Sequence, residues 1–277
     1  MTNFNKRLLV CSNSTRRFLP EYSNVIMVSE PPTKDILNIA QSVPGFVGTN
    51  YFDSVVAIGG GAVIDVAKII SKIPITCYPT TAAGSSDTEH SVYWDGERKM
   101  NFSSTRPDSV IVNETFLETL PEAIKFQTRC DLISHCLDSL HSEYITYDSE
   151  DLCKRALNKI SDSDSMVNLV EAGRLGGKAI QITTTNLLHA LSYPLTGRYG
   201  ISHGIALSYL IIRLEHLFHK VPNMPVINKS EYIKYTEPIF GKVDIDWDWV
   251  IDEAYRYDKI SDFVGAVNKN ILRELLQ

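Results

Sequence analysis

Residues 54–68 read SVVAIGGGAVIDVAK, and this stretch decides the architecture of the first part of the chain. Four apolar residues rich in Val and Ile run directly into Gly59, Gly60 and Gly61, and an apolar-periodic segment follows to Lys68. That is the signature of a buried strand, a tight turn and a helix. Glycines at such a turn let the backbone approach a phosphate closely, and the helix start beyond them offers free amides and a positive dipole end. The spacing is not GxGxxG, so a purely structural strand-to-helix turn stays an equal alternative.

Working outward, four more short apolar runs flank this one: RLLVC from Arg7, NVIMVS from Asn24, ITCYPTT from Ile75 and DSVIVN from Asp108. Alternation of such strands with helical or loop segments predicts a mainly parallel sheet covered on both faces, a class that binds nucleotides at the carboxyl ends of its strands. From Leu117 onward the pattern becomes amphipathic helix. The expected organisation is an α/β dinucleotide-binding domain over 1–116 and an all-α metal-binding domain over 117–277, with an irregular connection between Val221 and Asp246.

Three loops of the first domain are candidates for cofactor contact. Ser12 follows the first strand, where an acidic residue would read the adenosine ribose; with Arg16 and Arg17 nearby, a hydroxyl there favours NADP(H), unless the segment is an ordinary polar turn. Asp65 either forms a surface pair with Lys68 or faces the cofactor. Thr80, Thr81 and Ser86 lie on a small-residue loop, PTTAAGSSD, directly after a strand and suit a ribose or phosphate.

The second domain carries the reactive centre. In RCDLISHCLDSLH, Asp131 and His135 stand at i and i+4 on one helix face. His189 and His203 lie fourteen residues apart in KAIQITTTNLLHALSYPLTGRYGISHG. His189 is expected near the end of one helix and His203 at the start of the next, with the Pro194–Gly197 segment breaking the helical pattern between them. One carboxylate and three imidazoles can close around a divalent ion, and the N/O set suits Fe²⁺ or Zn²⁺ alike. His141, His216 and His219 have no comparable partners and are expected to pack or face solvent, and Cys130 and Cys136 are assigned to core packing.

Composition bounds the function classes. The chain has 277 residues, 44% hydrophobic and 22% charged, in keeping with a globular protein that buries a sizeable core. A net charge of −6 argues against non-specific nucleic-acid binding. No apolar run reaches membrane-spanning length and the N-terminus lacks a signal-peptide core, so a cytoplasmic protein without a membrane partner is expected. Five cysteines without a CxxC pair speak against a disulfide framework.

On GGGAVIDVAK, PTTAAGSSD, DLISHCLDSLHS and HALSYPLTGRYGISHG, the sequence resembles the iron-containing, group III alcohol dehydrogenase family with its dehydroquinate-synthase-like fold. Order and spacing agree over roughly residues 50–210. The resemblance implies metal ligation by Asp131, His135, His189 and His203, and a dinucleotide site at Gly59, Gly60, Gly61, Asp65, Thr80, Thr81 and Ser86. Within the family, the 178–204 segment and VYWDGERKMNFSS look most like the phosphonoacetaldehyde reductase branch, which implies NAD(P)H-linked reduction of that aldehyde to 2-hydroxyethylphosphonate. A general alcohol or lactaldehyde dehydrogenase, and a non-redox metal lyase like dehydroquinate synthase, are the alternatives. Many members carry a histidine four residues after the third ligand; here Tyr193 stands there, a candidate proton donor. Lys178 and Arg198 are the candidates for an anionic substrate group. The chain is shorter than typical members, so pocket walls are expected to be either missing or supplied by a partner subunit, a homodimer being one such assembly.

Overall fold

The computed structural model describes residues 6–19, 21–42, 51–118, 120–163, 165–218 and 227–277. It divides into two compact units, Met1–Leu120 with Ser165–Gly177, and Pro121–Asp164 with Lys178–Gln277.

The first unit opens with β1 (Arg7–Cys11), α1 (Asn13–Arg16), β2 (Val25–Met27), α2 (Asp35–Ser42), β3 (Ser54–Gly59), α3 (Gly61–Ile70) and β4 (Ile75–Pro79). A hairpin of β5 (His90–Asp95) and β6 (Arg98–Ser103) and the short β7 (Ser109–Val110) follow. The five expected strands form one parallel sheet in the order β2-β1-β3-β4-β7. Its central strands are almost continuously buried because both faces are covered. Leu8, Val10, Val55 and Ala57 pack on one face with Val63, Ile64 and Ala67 of α3, while Leu9, Cys11, Val56 and Ile58 pack on the other with Tyr22. The alternation of the pleat thus splits each strand between two cores.

The hairpin was not among the expected elements. Its two-residue loop at Gly96 and Glu97 has Gly96 at φ +60°, so the Asp95-Gly96 pair is a turn signal of the usual hairpin kind.

The second unit is helical: α4 (Glu122–Leu140), α5 (Tyr147–Asp162), the last turns of α6 (Met166–Thr183), α7 (Leu187–Tyr199), α8 (His203–Arg213), α9 (Lys229–Tyr235), α10 (Glu237–Phe240), α11 (Trp247–Ala254) and α12 (Lys269–Leu276). Its core joins Phe126, Ile133 and Leu137 of α4 with Leu188, Leu191 and Leu195 of α7 and Leu207, Leu210 and Ile211 of α8. Among the described residues no helix is long and apolar enough to cross a membrane.

Three expectations need correction. The boundary between the units falls at Leu120/Pro121, and the division into two contiguous segments is broken by 165–177, which count with the first unit. The cause is a glycine seam on α6: a Cβ on Gly173 would lie 2.5 Å from Ala82 Cα, and one on Gly177 would lie 2.8 Å from Gly84 Cα. The 79–87 loop therefore rests directly on the helix backbone, fixed further by Arg174 Nε donating to Asp87 Oδ2 at 3.1 Å.

Second, Pro194 does not end a helix. α7 runs through it to Tyr199 and stops at Gly200, φ +65°. A proline inside a helix removes one hydrogen bond at a cost of about 3 kcal/mol, but Leu187, Leu188, Leu191 and Leu195 are all fully buried, and that burial outweighs the loss.

Third, the described part of the Val221–Asp246 connection contains α9 and α10. Its asparagine and proline are starters rather than breakers: Asn228 Oδ1 accepts from Ser230 N at 2.9 Å, and a proline stands in the first turn of α10.

Candidate functional site

Asp131 and His135 share one face of α4, and the buried flank of that helix turns both inward. His189 is the third residue of α7, at the start of that helix rather than its end, and His203 opens α8. Gly204 lets α8 begin against α4, since a Cβ there would lie 2.5 Å from the Gln127 carbonyl oxygen. Asp131, His135 and His189 converge on one point, and His203 approaches Asp131 from the start of α8. Asp131 Oδ1 stands 3.5 Å from His135 Nε2, 3.5 Å from His189 Nε2 and 3.6 Å from His203 Nε2. The His135 and His189 rings stack at 4.7 Å, and Asp131, His135 and His189 offer ligand atoms that all lie within 4.8 Å of one another.

These separations are too long for good hydrogen bonds and close to the roughly 3.4 Å edge between ligand atoms held tetrahedrally at about 2.1 Å from a cation. Asp131 Oδ1 and His189 Nε2 are both buried and make no hydrogen bond. A buried, converging, unsatisfied O/N set is costly by itself and fits a divalent cation. Burial would raise the Asp131 carboxyl, but the neighbouring imidazoles outweigh it and hold the group well below the usual carboxylate range.

Asp138, which the sequence reading did not single out, orients the set. It lies at i+7 from Asp131 on the same face of α4 and is fully buried. Its Oδ2 accepts from His189 Nδ1 at 2.8 Å and from Asn186 N at 2.9 Å, and its Oδ1 accepts from Leu188 N at 3.0 Å. One carboxylate thus caps the N-terminus of α7 and fixes the His189 tautomer that leaves Nε2 unprotonated toward Asp131. Ser192 does the same for His203: its hydroxyl donates to the His189 carbonyl at 2.8 Å and accepts from His203 Nδ1 at 3.2 Å. Tyr193 is buried beside them, its ring 6.0 Å from that of His203 and 6.3 Å from that of His189. His141 is core, packed between Phe218 and Phe263; His216 is exposed, and His219 lies outside the described residues. Cys130 and Cys136 are buried as free thiols.

In the first unit, the strand order places the ends of β1 and β3 side by side, with Cys11 opposite Ile58, and β2 and β4 on their outer sides. This is the switch point at which parallel sheets receive nucleotides. Ser12, Gly59, Gly60 and Gly61 meet there, tied by Thr15 Oγ1 donating to the Ile58 carbonyl at 2.9 Å. Thr80 and Thr81 adjoin them: Thr80 N donates to the Gly59 carbonyl at 3.0 Å, and a Cβ on Gly60 would lie 3.2 Å from the Thr81 side chain. The glycine turn is thus explained in part by close packing as well as by room for a ligand.

Asp65 and Ser86 have other engagements. Asp65 and Lys68 are buried, which removes the surface-pair reading; Asp65 accepts from Ser85 Oγ at 2.5 Å, and Ser86 Oγ donates to Asp87 Oδ2 at 2.9 Å. Arg16 donates to the Tyr22 carbonyl at 3.0 Å, and Arg17 covers the Phe18 ring at 4.9 Å, so both guanidinium groups have local partners. In the second unit, Lys178 is partly buried on α6, while Arg198 is exposed with its guanidinium 4.2 Å over the Trp249 ring.

The resemblance to iron-containing alcohol dehydrogenases holds in each comparison with known proteins. The family model described as iron-containing alcohol dehydrogenase matches residues 19–114. The 1-propanol dehydrogenase PduQ of Citrobacter freundii is 26% identical over 195 residues, covering 61% of this chain and 53% of that protein. The phosphonoacetaldehyde reductase of Streptomyces viridochromogenes is 27% identical over 217 residues, covering 61% and 54%. The chain thus spans about half the length of these curated relatives. An iron-containing alcohol dehydrogenase from Thermotoga maritima shares the fold with a TM-score of 0.78 at 21% identity, over 99% of this chain and 91% of that one. A sulfoacetaldehyde reductase from Bifidobacterium kashiwanohense, solved in complex with NAD⁺, gives a TM-score of 0.75 at 17% identity, over 98% and 89%.

Proposed function

We propose that the chain is a metal-dependent, NAD(P)H-linked reductase of a small aldehyde, with phosphonoacetaldehyde as the favoured substrate and 2-hydroxyethylphosphonate as its product. The observation that carries this reading is the convergence of Asp131 Oδ1 with three imidazole Nε2 atoms at 3.5–3.6 Å. A divalent cation, Fe²⁺ or Zn²⁺, supplies a Lewis acid for the carbonyl oxygen when bound there. Asp131 contributes the negative charge that offsets a dication, and Asp138 and Ser192 keep His189 and His203 in the tautomers that present lone pairs. The glycine turn before α3 would hold the dinucleotide pyrophosphate at the helix start. A reduced nicotinamide cofactor would supply the hydride for the carbonyl carbon, and the Tyr193 hydroxyl or water would supply the proton that completes the alcohol.

Similarity to reductases named for phosphonoacetaldehyde and sulfoacetaldehyde supports an aldehyde with an anionic head. Similarity to a 1-propanol dehydrogenase supports the second reading, a general alcohol dehydrogenase. The test is NADPH and NADH oxidation by anaerobic, Fe²⁺-loaded protein offered phosphonoacetaldehyde or propanal. Preference for the phosphonate is the expected result, and equal rates would favour the second reading. His203→Ala should lose metal and turnover while still binding dinucleotide; full activity in that variant would remove His203 from the ligand set.

A further inference from the structure

The helical unit holds a cation that neither the metal set nor the tautomer network uses. Lys259 lies in the short 3₁₀ turn Asp258–Asp262 after α11. Its Nζ donates to Thr185 Oγ1 at 3.0 Å and stands 5.9 Å from the centroid of the Tyr193 ring. That ring is the one that packs on His203 and His189, so the ammonium is one aromatic ring away from the candidate ligands.

Among the described residues Lys259 makes no ion pair. Burial pushes its ammonium below the usual lysine range, and the more distant Asp138 and Asp262 oppose that only in part. Asp138 acts on it from beyond ion-pair distance, its oxygens accepting instead from Asn186 N, Leu188 N, His189 N and His189 Nδ1. Thr185, the hydrogen-bond partner, is neutral. The ammonium therefore keeps N–H donors beside a neutral partner in a half-buried place, with no carboxylate at ion-pair distance among the described residues, an arrangement suited to an anionic ligand. The position of its partner is itself constrained. Thr184, immediately before Thr185, is a β-branched residue at φ +61°, and Thr185 leads directly into Asn186, whose side chain caps α7. One stretch of backbone thus sets both the Lys259 contact and the start of the helix that carries His189.

We propose that Lys259 recognises the anionic head of the substrate, a phosphonate, sulfonate or carboxylate on a small aldehyde whose carbonyl end meets Asp131, His135, His189 and His203. The assignment rests on the reductase reading above for the identity of the substrate, and it moves anion recognition from Arg198, whose guanidinium lies on Trp249, to the wall formed by Tyr193 and the Asp258–Asp262 turn.

The experiment is calorimetric titration of the Zn²⁺-loaded full chain with 2-hydroxyethylphosphonate in the presence of NAD(P)⁺, for wild type, Lys259→Met and Lys259→Arg. Loss of a charge-assisted contact should weaken phosphonate binding by about 10- to 100-fold in Lys259→Met. Lys259→Arg should recover most of it, metal content should be the same in all three, and 1-propanol should bind wild type and Lys259→Met alike. Equal phosphonate affinity in wild type and Lys259→Met overturns the proposal, as does a Lys259→Met protein that loses metal and phosphonate together, which would make Lys259 a support for the metal set. The reductase reading fails separately: if no aldehyde drives NAD(P)H oxidation yet phosphonate binding depends on Lys259, the anion site stands and the reaction does not.

Discussion

Each unit buries a cluster of charged and polar groups, and the two clusters are built in opposite ways. In the first unit, Lys68 Nζ donates to the Ser85 carbonyl at 2.9 Å and to the His90 carbonyl, Asp65 accepts from Ser85, and Asp87 is held by Arg174 and Ser86. The donors and acceptors are matched, and the network ties α3 to the 79–90 segment. In the second unit, Asp131 Oδ1 and His189 Nε2 face each other across 3.5 Å without a hydrogen bond, and Lys259 has no carboxylate partner among the described residues. A matched network stabilises a fold; a converging, unmatched one is kept for a ligand. The contrast rests on geometry alone, with no reference to resemblance.

The largest effect that tests this contrast lies on the matched side. Lys68→Met would leave the Ser85 and His90 carbonyls without their donor and remove the cation that offsets the buried Asp65 charge, and an unsatisfied buried group costs about 1–3 kcal/mol. Denaturant unfolding should show that loss, while the metal content of folded protein stays at the wild-type level. Unchanged stability would mean that the network is not the structural tie it resembles. Adding Asp65→Asn to Lys68→Met should restore part of the loss, because the uncompensated charge is then gone.

A smaller effect is expected on the unmatched side. Asp138→Asn keeps the shape of the side chain but removes the charge that holds His189 Nδ1–H and the first amides of α7. Removal of such an orienting carboxylate should lower metal affinity by about 10- to 100-fold. Competition with a chromophoric chelator would measure it, and wild-type affinity in the variant would show that His189 is oriented by packing alone.

The least effect should not distinguish the units at all. Burial pushes the Cys77 thiol of the first unit up to about 12 from 9.0, and raises Cys130 of the second unit as well. The folded state holds these protons more tightly than the unfolded chain, so stability should fall as pH rises above 9.0, with the Cys77 contribution complete by about 12. Thermal unfolding of wild type and Cys77→Ala across that window checks the sign: the alkaline decline should be shallower in the variant, and an identical slope would remove Cys77 as a cause.

Much of the first unit was legible because its signals are local. Each of the five runs read as strands is a short apolar stretch whose neighbours in sequence mark its ends, and all five entered one parallel sheet. The candidate cluster was legible for a related reason: i and i+4 on a helix put Asp131 and His135 on one face whatever surrounds them. The same rule applied to i+7 would have found Asp138. The sequence reads Pro194–Gly197 as a break and Val221–Asp246 as an irregular connection because a residue's local preference says nothing of the burial that overrides it or of the helix start that uses it.

By itself, then, the sequence determined the parallel strands, the glycine turn and the residue types able to hold a cation, since these depend on periodicity and spacing over a few residues. Only the tertiary structure decided which strand ends lie side by side, why the loop of Ala82 and Gly84 needs Gly173 and Gly177 far along the chain, and which buried charges find partners. Those are distances between residues remote in sequence, fixed by packing rather than by any local pattern. Lys259 is the sharpest instance: nothing in DKISD marks it, and its role rests on the carboxylate that the fold does not bring to it.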